Sequence, residues 1–181
     1  LCSVKIKHNL NFKFMKIKSG HHYPTPFIFP KLYSKNNLEI NATLSFDDTA
    51  KYDIGKDQTD INKLLGFGYN LHHLNSDRIG WRYVPSKDKI EFLLYSYNRK
   101  ERVKKHICYV GINEEISINF YVEFKKGFRY VYSKITTKEK IYYTKAKFHK
   151  PIIFLLYGLS LYFGGNIAAP HDINVYFKKT N

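Results

Sequence analysis

Two stretches of this chain alternate too strictly to be anything but strand. In Leu38–Phe46 the apolar residues Leu38, Ile40, Ala42, Leu44 and Phe46 are separated by Glu39, Asn41, Thr43 and Ser45. In Ile116–Phe124, Ile116, Ile118, Phe120, Val122 and Phe124 alternate with Ser117, Asn119, Tyr121 and Glu123. Side chains of an extended chain point to opposite faces in turn, so period two means one dry face and one wet face. A helix would scatter those apolar residues all around its axis.

The remaining segments follow suit. Phe12–Ile17, Ile79–Tyr83, Ile90–Tyr97, Lys105–Val110, Phe128–Ile135, Lys140–Phe148 and Ile173–Phe177 read as strands. Phe27–Phe29 and Tyr52–Gly55 read as shorter ones, and Ile61–Tyr69 as a helical turn or a strand bulged at its glycines. The apolar run Ile152–Phe163 is too short to span a bilayer as a helix and reads as a buried strand or strand pair. Turn residues separate these runs at Gly20–Pro26, Lys56–Asp60, Pro85–Asp88, Asn98–Glu101 and Lys125–Gly127. About ten short strands with regular turns predict an all-β, antiparallel two-sheet sandwich of jelly-roll type. With 181 residues and 44% hydrophobic residues, one domain has enough apolar surface for a two-layer core. The only methionine is Met15, so residues 1–14 are expected to be an N-terminal extension not native to the domain, and residues 15–181 the single sandwich domain. No apolar segment followed by a cleavage site opens the chain, which places the expectation in the cytoplasm.

Charge narrows the partners. The net charge is +15, carried by thirty Lys and Arg of which only five are Arg. A basic field attracts polyanions, whether acidic polysaccharide, nucleic acid or membrane surface. The plainer reading is a lysine-coated solvated surface, with the Lys-over-Arg bias following from AT-rich coding. Two cysteines, Cys2 and Cys108, give neither a disulfide framework nor a zinc spacing, so no metal or cofactor is expected. Phosphate-binding glycine loops, nucleophile elbows and zinc-protease helices are absent as motifs.

Chemistry concentrates in His72–Arg82, which holds two histidines, an acid, two arginines and the only tryptophan. If the strand includes the histidines, His72 and His73 face opposite ways and make a poor bidentate metal pair, so a hydrogen-bonded structural role competes with any ligand role. Arg78 and Arg82 share a face and could grip a carboxylate, sulfate or phosphate. The competing role for them is an ion pair with Asp77, Glu91 or Asp172. Trp81, on the opposite face with Ile79 and Tyr83, reads as core, with a sugar- or base-stacking platform as the alternative. A second segment, Tyr162–Asp172, offers Gly164-Gly165-Asn166 and Pro170-His171-Asp172, either as a ligand loop or as a tight bend. His73, His171 and Tyr162 are therefore the candidate catalytic groups, and Arg78, Arg82, Asn166 and Asp172 the candidate ligand-binding ones.

Lys18–Tyr23, Phe46–Asp48, Asp60–Phe67, His72–Arg82 and Tyr162–Ile173 together resemble a group of small bacterial β-sandwich proteins of Bacteroidetes type, over roughly Met15–Lys178. No activity comes with that likeness. More loosely, the succession Ile90–Tyr97, Lys105–Val110, Ile116–Phe124 is similar to concanavalin A-like jelly rolls, including laminin G-like modules. That resemblance implies a carbohydrate ligand. The chain lacks the paired-acid strand motif of the glucanase branches, which argues against glycoside hydrolysis. Three functions stand as expectations: a lectin-like binder of an anionic glycan, a polysaccharide lyase, and a basic nucleic-acid or structural interaction protein. The last rests on aromatics interleaved with lysines along Phe124–Tyr130 and Lys140–Lys150.

Overall fold

A computed structural model describes residues 12–27 and 30–178. The alternating segments become twelve strands: β1 (Phe12–Ile17), β2 (Pro24–Thr25), β3 (Glu39–Phe46), β4 (Asn62–Tyr69), β5 (Asn75–Val84), β6 (Lys89–Asn98), β7 (Glu101–Gly111), β8 (Ile116–Lys125), β9 (Phe128–Thr136), β10 (Ile141–His149), β11 (Leu156–Leu159) and β12 (Ile173–Lys178). They form two antiparallel sheets. The seven-stranded sheet runs β10-β9-β8-β3-β12-β1-β2 and the five-stranded sheet β11-β4-β5-β6-β7. This is the all-β sandwich expected, with two more strands than the approximate count.

The apolar sets named above face inward. Leu44 and Phe46 of β3, Ile116, Ile118, Phe120 and Val122 of β8, and Val131 and Ile135 of β9 meet Phe67, Ile79, Trp81, Phe92 and Leu94 of the smaller sheet in one core. Trp81 is fully buried, its ring 4.5 Å from Phe46 and 6.3 Å from Phe163 by centroids. Parity along β5 and β6 holds throughout. Ile79, Trp81, Phe92 and Leu94 point in, whereas Arg78, Arg82, Leu93, Tyr95 and Tyr97 point to the outer face of the five-stranded sheet. β4 is a strand whose register shifts between Lys63 and Leu65, the bulged alternative for that segment.

Several expectations need correction. Tyr52–Gly55 is not a strand: Tyr52 leaves the irregular backbone to enter the core, where its hydroxyl accepts from Asn62 Nδ2 at 2.8 Å. The loop that follows closes into a 3-10 turn at Gly55–Thr59. His72 and His73 lie in the turn before β5, so strand parity does not separate them. The run Ile152–Phe163 is only in part a buried strand. Leu156, Leu161 and Phe163 are buried, but Ile152 and Phe154 are 77% and 90% exposed. Met15 lies within β1, which pairs with β12 from Phe12↔Lys178 to Ile17↔Ile173, and residues 1–11 of the expected N-terminal extension lie outside the described residues. Residues 28 and 29 of the Phe27–Phe29 segment, and Cys2, lie outside the described residues; Cys108 is a buried unpaired thiol. Among the described residues no helix is long and apolar enough to cross a membrane.

One polar feature sits inside the core. Parity puts Asp77 on the Trp81 face and Arg129 on the Val131 face, so the two meet between the sheets. Arg129 Nε lies 2.9 Å from Asp77 Oδ2, both side chains are 0% exposed, and Tyr69 donates to the same carboxylate oxygen at 2.7 Å. The guanidinium is sandwiched 5.0 Å from the Tyr69 and Phe148 rings. The pair rivets the two sheets together.

Candidate functional site

The outer face of the five-stranded sheet is floored by small residues. Gly68 of β4 and Gly80 of β5 point their missing side chains outward, whereas a Cβ on Gly66, at φ 157°, would run into the Asp77 carbonyl and Arg78 Cα of β5. A Cβ on Gly68 would come within 2.7 Å of the Tyr157 ring, and one on Gly80 within 2.4 Å of Ile61 Cγ2. Gly68 thus lets β11 and its Tyr157 lie directly against β4, where Tyr157 pairs with Gly68. The result is a cleft of about 380 Å³ over this end of the sheet. Its floor and near wall include Lys63, Arg78, Tyr97, Tyr157 and Tyr162, with His72 and His73 at one rim and Tyr23 and Phe27 at another. That volume suits a small ligand or one or two rings of a larger one.

Arg78 is the anomaly. It is 7% exposed, and its side chain reaches the His72 carbonyl only at 3.5 Å from Nη2. Among the described residues its Nε has no hydrogen-bond partner and no carboxylate lies within ion-pair distance. Its neighbour Asp77 faces the other way and is taken by Arg129. A buried cation without a counter-ion costs stability, and a guanidinium cannot escape by losing its proton.

Lys63 stands beside it. Its ammonium donates to the Gly164 carbonyl and lies 5.0 Å from the Tyr162 ring centroid and 5.8 Å from that of Tyr95. Burial, and then the Arg78 charge, lower its pKa to about 8, with Asp60 pulling the other way. Tyr162 is fixed by a two-bond bridge to the Lys63 backbone, by stacking on His22 at 5.1 Å, and by an edge contact with Tyr23 at 5.0 Å. His72 Nδ1 is 3.0 Å from the Tyr157 hydroxyl, which donates to the Asn70 carbonyl at 3.0 Å. The consistent tautomer has His72 Nδ1–H donating to Tyr157, leaving Nε2 as an acceptor. Burial first, then Arg78, lowers the His72 pKa, so the ring is neutral near pH 7.

The structure brings together His73, Arg78 and Tyr162 of the expected site residues. It places the others elsewhere. Arg82 is bound to Glu91, Nε to Oε2 at 2.6 Å, the ion pair weighed as its competing role. His171 Nε2 contacts the Thr49 carbonyl at 2.8 Å, and Asp172 holds Lys16 Nζ at 2.9 Å and Ser19 N at 3.0 Å. Asn166 is exposed on its bend and is not among the cleft residues. Lys63, Tyr97 and Tyr157 were not singled out from the sequence. Alternating Gly66 and Gly68 in an apolar strand was the signal that another element presses close there.

No family model matches the chain, and no curated protein matches it. The Bacteroidetes-type resemblance therefore has no sequence family behind it. Among solved structures, the chain is similar to a carbohydrate-binding module, CBM66, from Bacillus subtilis. The TM-score is 0.38 at 9% identity, covering 91% of this chain and 83% of that one.

Proposed function

We propose that the cleft binds an anionic carbohydrate through Arg78 and Lys63, with tyrosine rings as sugar-stacking walls. The observation that carries this reading is the composition of the lining: among the described residues every titratable group is a cation, a histidine or a phenol, none is a carboxylate, and the most buried cation has no counter-ion within ion-pair distance. A carboxylate or sulfate on a sugar ring would supply the charge Arg78 lacks, in bidentate fashion. Calorimetric titration with polyuronate, sulfated and neutral oligosaccharides tests it. Binding of an acidic oligosaccharide that weakens at least about tenfold in Arg78→Met is the expected result. Equal affinity for neutral glucans, or no acidic ligand at all, sinks the reading.

The Tyr157–His72 hydrogen bond beside Arg78 favours a second reading, β-elimination on a uronate. There Arg78 neutralises the sugar carboxylate, a phenol or imidazole of the cleft takes the proton α to it, the C=C bond forms as the β C–O bond breaks, and the departing glycosidic oxygen takes a proton from a second phenol or imidazole. New unsaturated-uronate absorbance with an acidic polysaccharide would establish turnover; constant absorbance with a bound ligand leaves a binder.

A further inference from the structure

One end of the sandwich displays apolar side chains that folding ordinarily hides. Phe154 is 90% exposed, Ile152 77%, Leu71 55% and Leu155 47%. They are not on a loose loop. Asn70, at φ 57°, uses its side chain to hold three backbone groups of the other segment: Nδ2 donates to the Ile152 carbonyl at 2.7 Å, and Oδ1 accepts from Phe154 N and Leu155 N at 2.9 Å each. One asparagine thus fixes two loops so that their apolar residues project from the same end. Scattered exposed hydrophobes need no explanation, but a clustered and braced set marks a contact surface.

Charge identifies the contact. Two further turns reach this end. The β6–β7 turn is tied to it by Lys100 N donating to the Leu74 carbonyl at 2.9 Å and Arg99 N to Asn75 Oδ1 at 3.1 Å. Lys150 N donates to the Gly127 carbonyl at 3.1 Å, which brings in the β8–β9 turn. Together these loops carry Arg99, Lys100, Lys125, Lys126 and Lys150, all exposed, against the single acid Glu101. Apolar tips within a basic ring match a layer that is negative at its surface and apolar just beneath.

We infer that this end docks on an anionic lipid bilayer, with Ile152 and Phe154 entering the headgroup boundary and the ring of Lys and Arg meeting acidic headgroups. Neither Ile152 nor Phe154 lines the cleft, so this surface is independent of the glycan reading.

Vesicle flotation of the full chain tests the inference. Vesicles of equal parts phosphatidylcholine and phosphatidylserine should carry the protein, pure phosphatidylcholine should carry far less, and added salt should release it. Ile152→Ser with Phe154→Ser should weaken partition roughly tenfold or more, and Lys125→Glu with Lys126→Glu should do likewise. Both pairs are exposed, so circular dichroism should be unchanged. Failure of the parent chain to float, or flotation of the serine variant at the parent level, overturns the inference. So does a parent chain that elutes as a dimer which the serine variant turns into a monomer, since the patch would then join two copies of this chain.

Discussion

At the scale of single residues, two titrations carry the clearest consequences. Lys63 has a pKa lowered to about 8, so it is charged at pH 7 and loses its proton as pH rises through that value. Affinity for an acidic oligosaccharide should therefore fall between about pH 7 and 9, well before an ordinary lysine near 10.4 would respond. Lys63→Arg should remove the fall, which calorimetry across that range would show. Asp47 works in the opposite range. Burial pushes its pKa up, but hydrogen bonds from Thr49, Asn174 and Tyr176 together outweigh burial and hold it below the usual carboxylate value. Its folded pKa is depressed, so its stabilisation is complete above about pH 4 and is lost as pH falls through the folded value. Denaturant midpoints measured from neutral to strongly acid pH should show that loss, and Asp47→Asn should flatten it. Asp47→Ala should cost about 1–2 kcal/mol at neutral pH, since it removes the carboxylate to which Thr49 and Asn174 donate.

At the scale of elements, the rivet between β5 and β9 is decided by desolvation. Arg129→Met alone should destabilise by about 3–5 kcal/mol, because it strands a buried carboxylate. Adding Asp77→Leu should recover most of that in urea melts, since an apolar pair of similar volume has no charge to desolvate. The Asn70 clamp separates backbone from side chain in the same way. Asn70→Gly keeps the left-handed backbone and loses three hydrogen bonds; Asn70→Ala loses both. Hydrogen exchange of the Phe154 and Leu155 amides should speed up in both variants, and Asn70→Ala should be the less stable by roughly 1 kcal/mol.

Across the whole molecule, what the sequence declares is what depends on neighbours along one strand. Alternation in β3 and β8 declared the sandwich. Parity in β5 put Trp81 in the core and Arg78 with Arg82 outside, and Glu91 was already among the partners weighed for Arg82. Parity also contained the Asp77–Arg129 meeting, but nothing local says that two inward charges from strands so far apart in sequence will face each other. The cleft was half legible for the same reason. Arg78 and Tyr162 carry visible chemistry, whereas Lys63 and Tyr157 matter only because β11 settles on Gly68 of β4. His171 and Asp172 looked like partners by texture, yet the bend after Phe163 spends them on Thr49, Lys16 and Ser19. The Ile152–Phe154 run misled because apolar composition was read as burial, and composition does not know that Asn70 holds those residues outward.

The sheet ends show a further economy. β2 and β11, two and four residues long, close one end of each sheet, and β10 and β7 close the others. A long flat border strand is a template on which another chain can add, and inward or outward lysines are the common deterrent. β10 exposes Lys145 and Lys147, β7 exposes Arg102, Lys104 and Lys105, and Lys105 Nζ donates to the Lys145 carbonyl at 3.1 Å, closing one border against the other. Part of the +15 charge is thus a guard against fibril growth, independent of any ligand. Exhaustive lysine acetylation, which leaves the fold's apolar core untouched, should turn this chain from a dispersed solute into one that seeds thioflavin-positive aggregates.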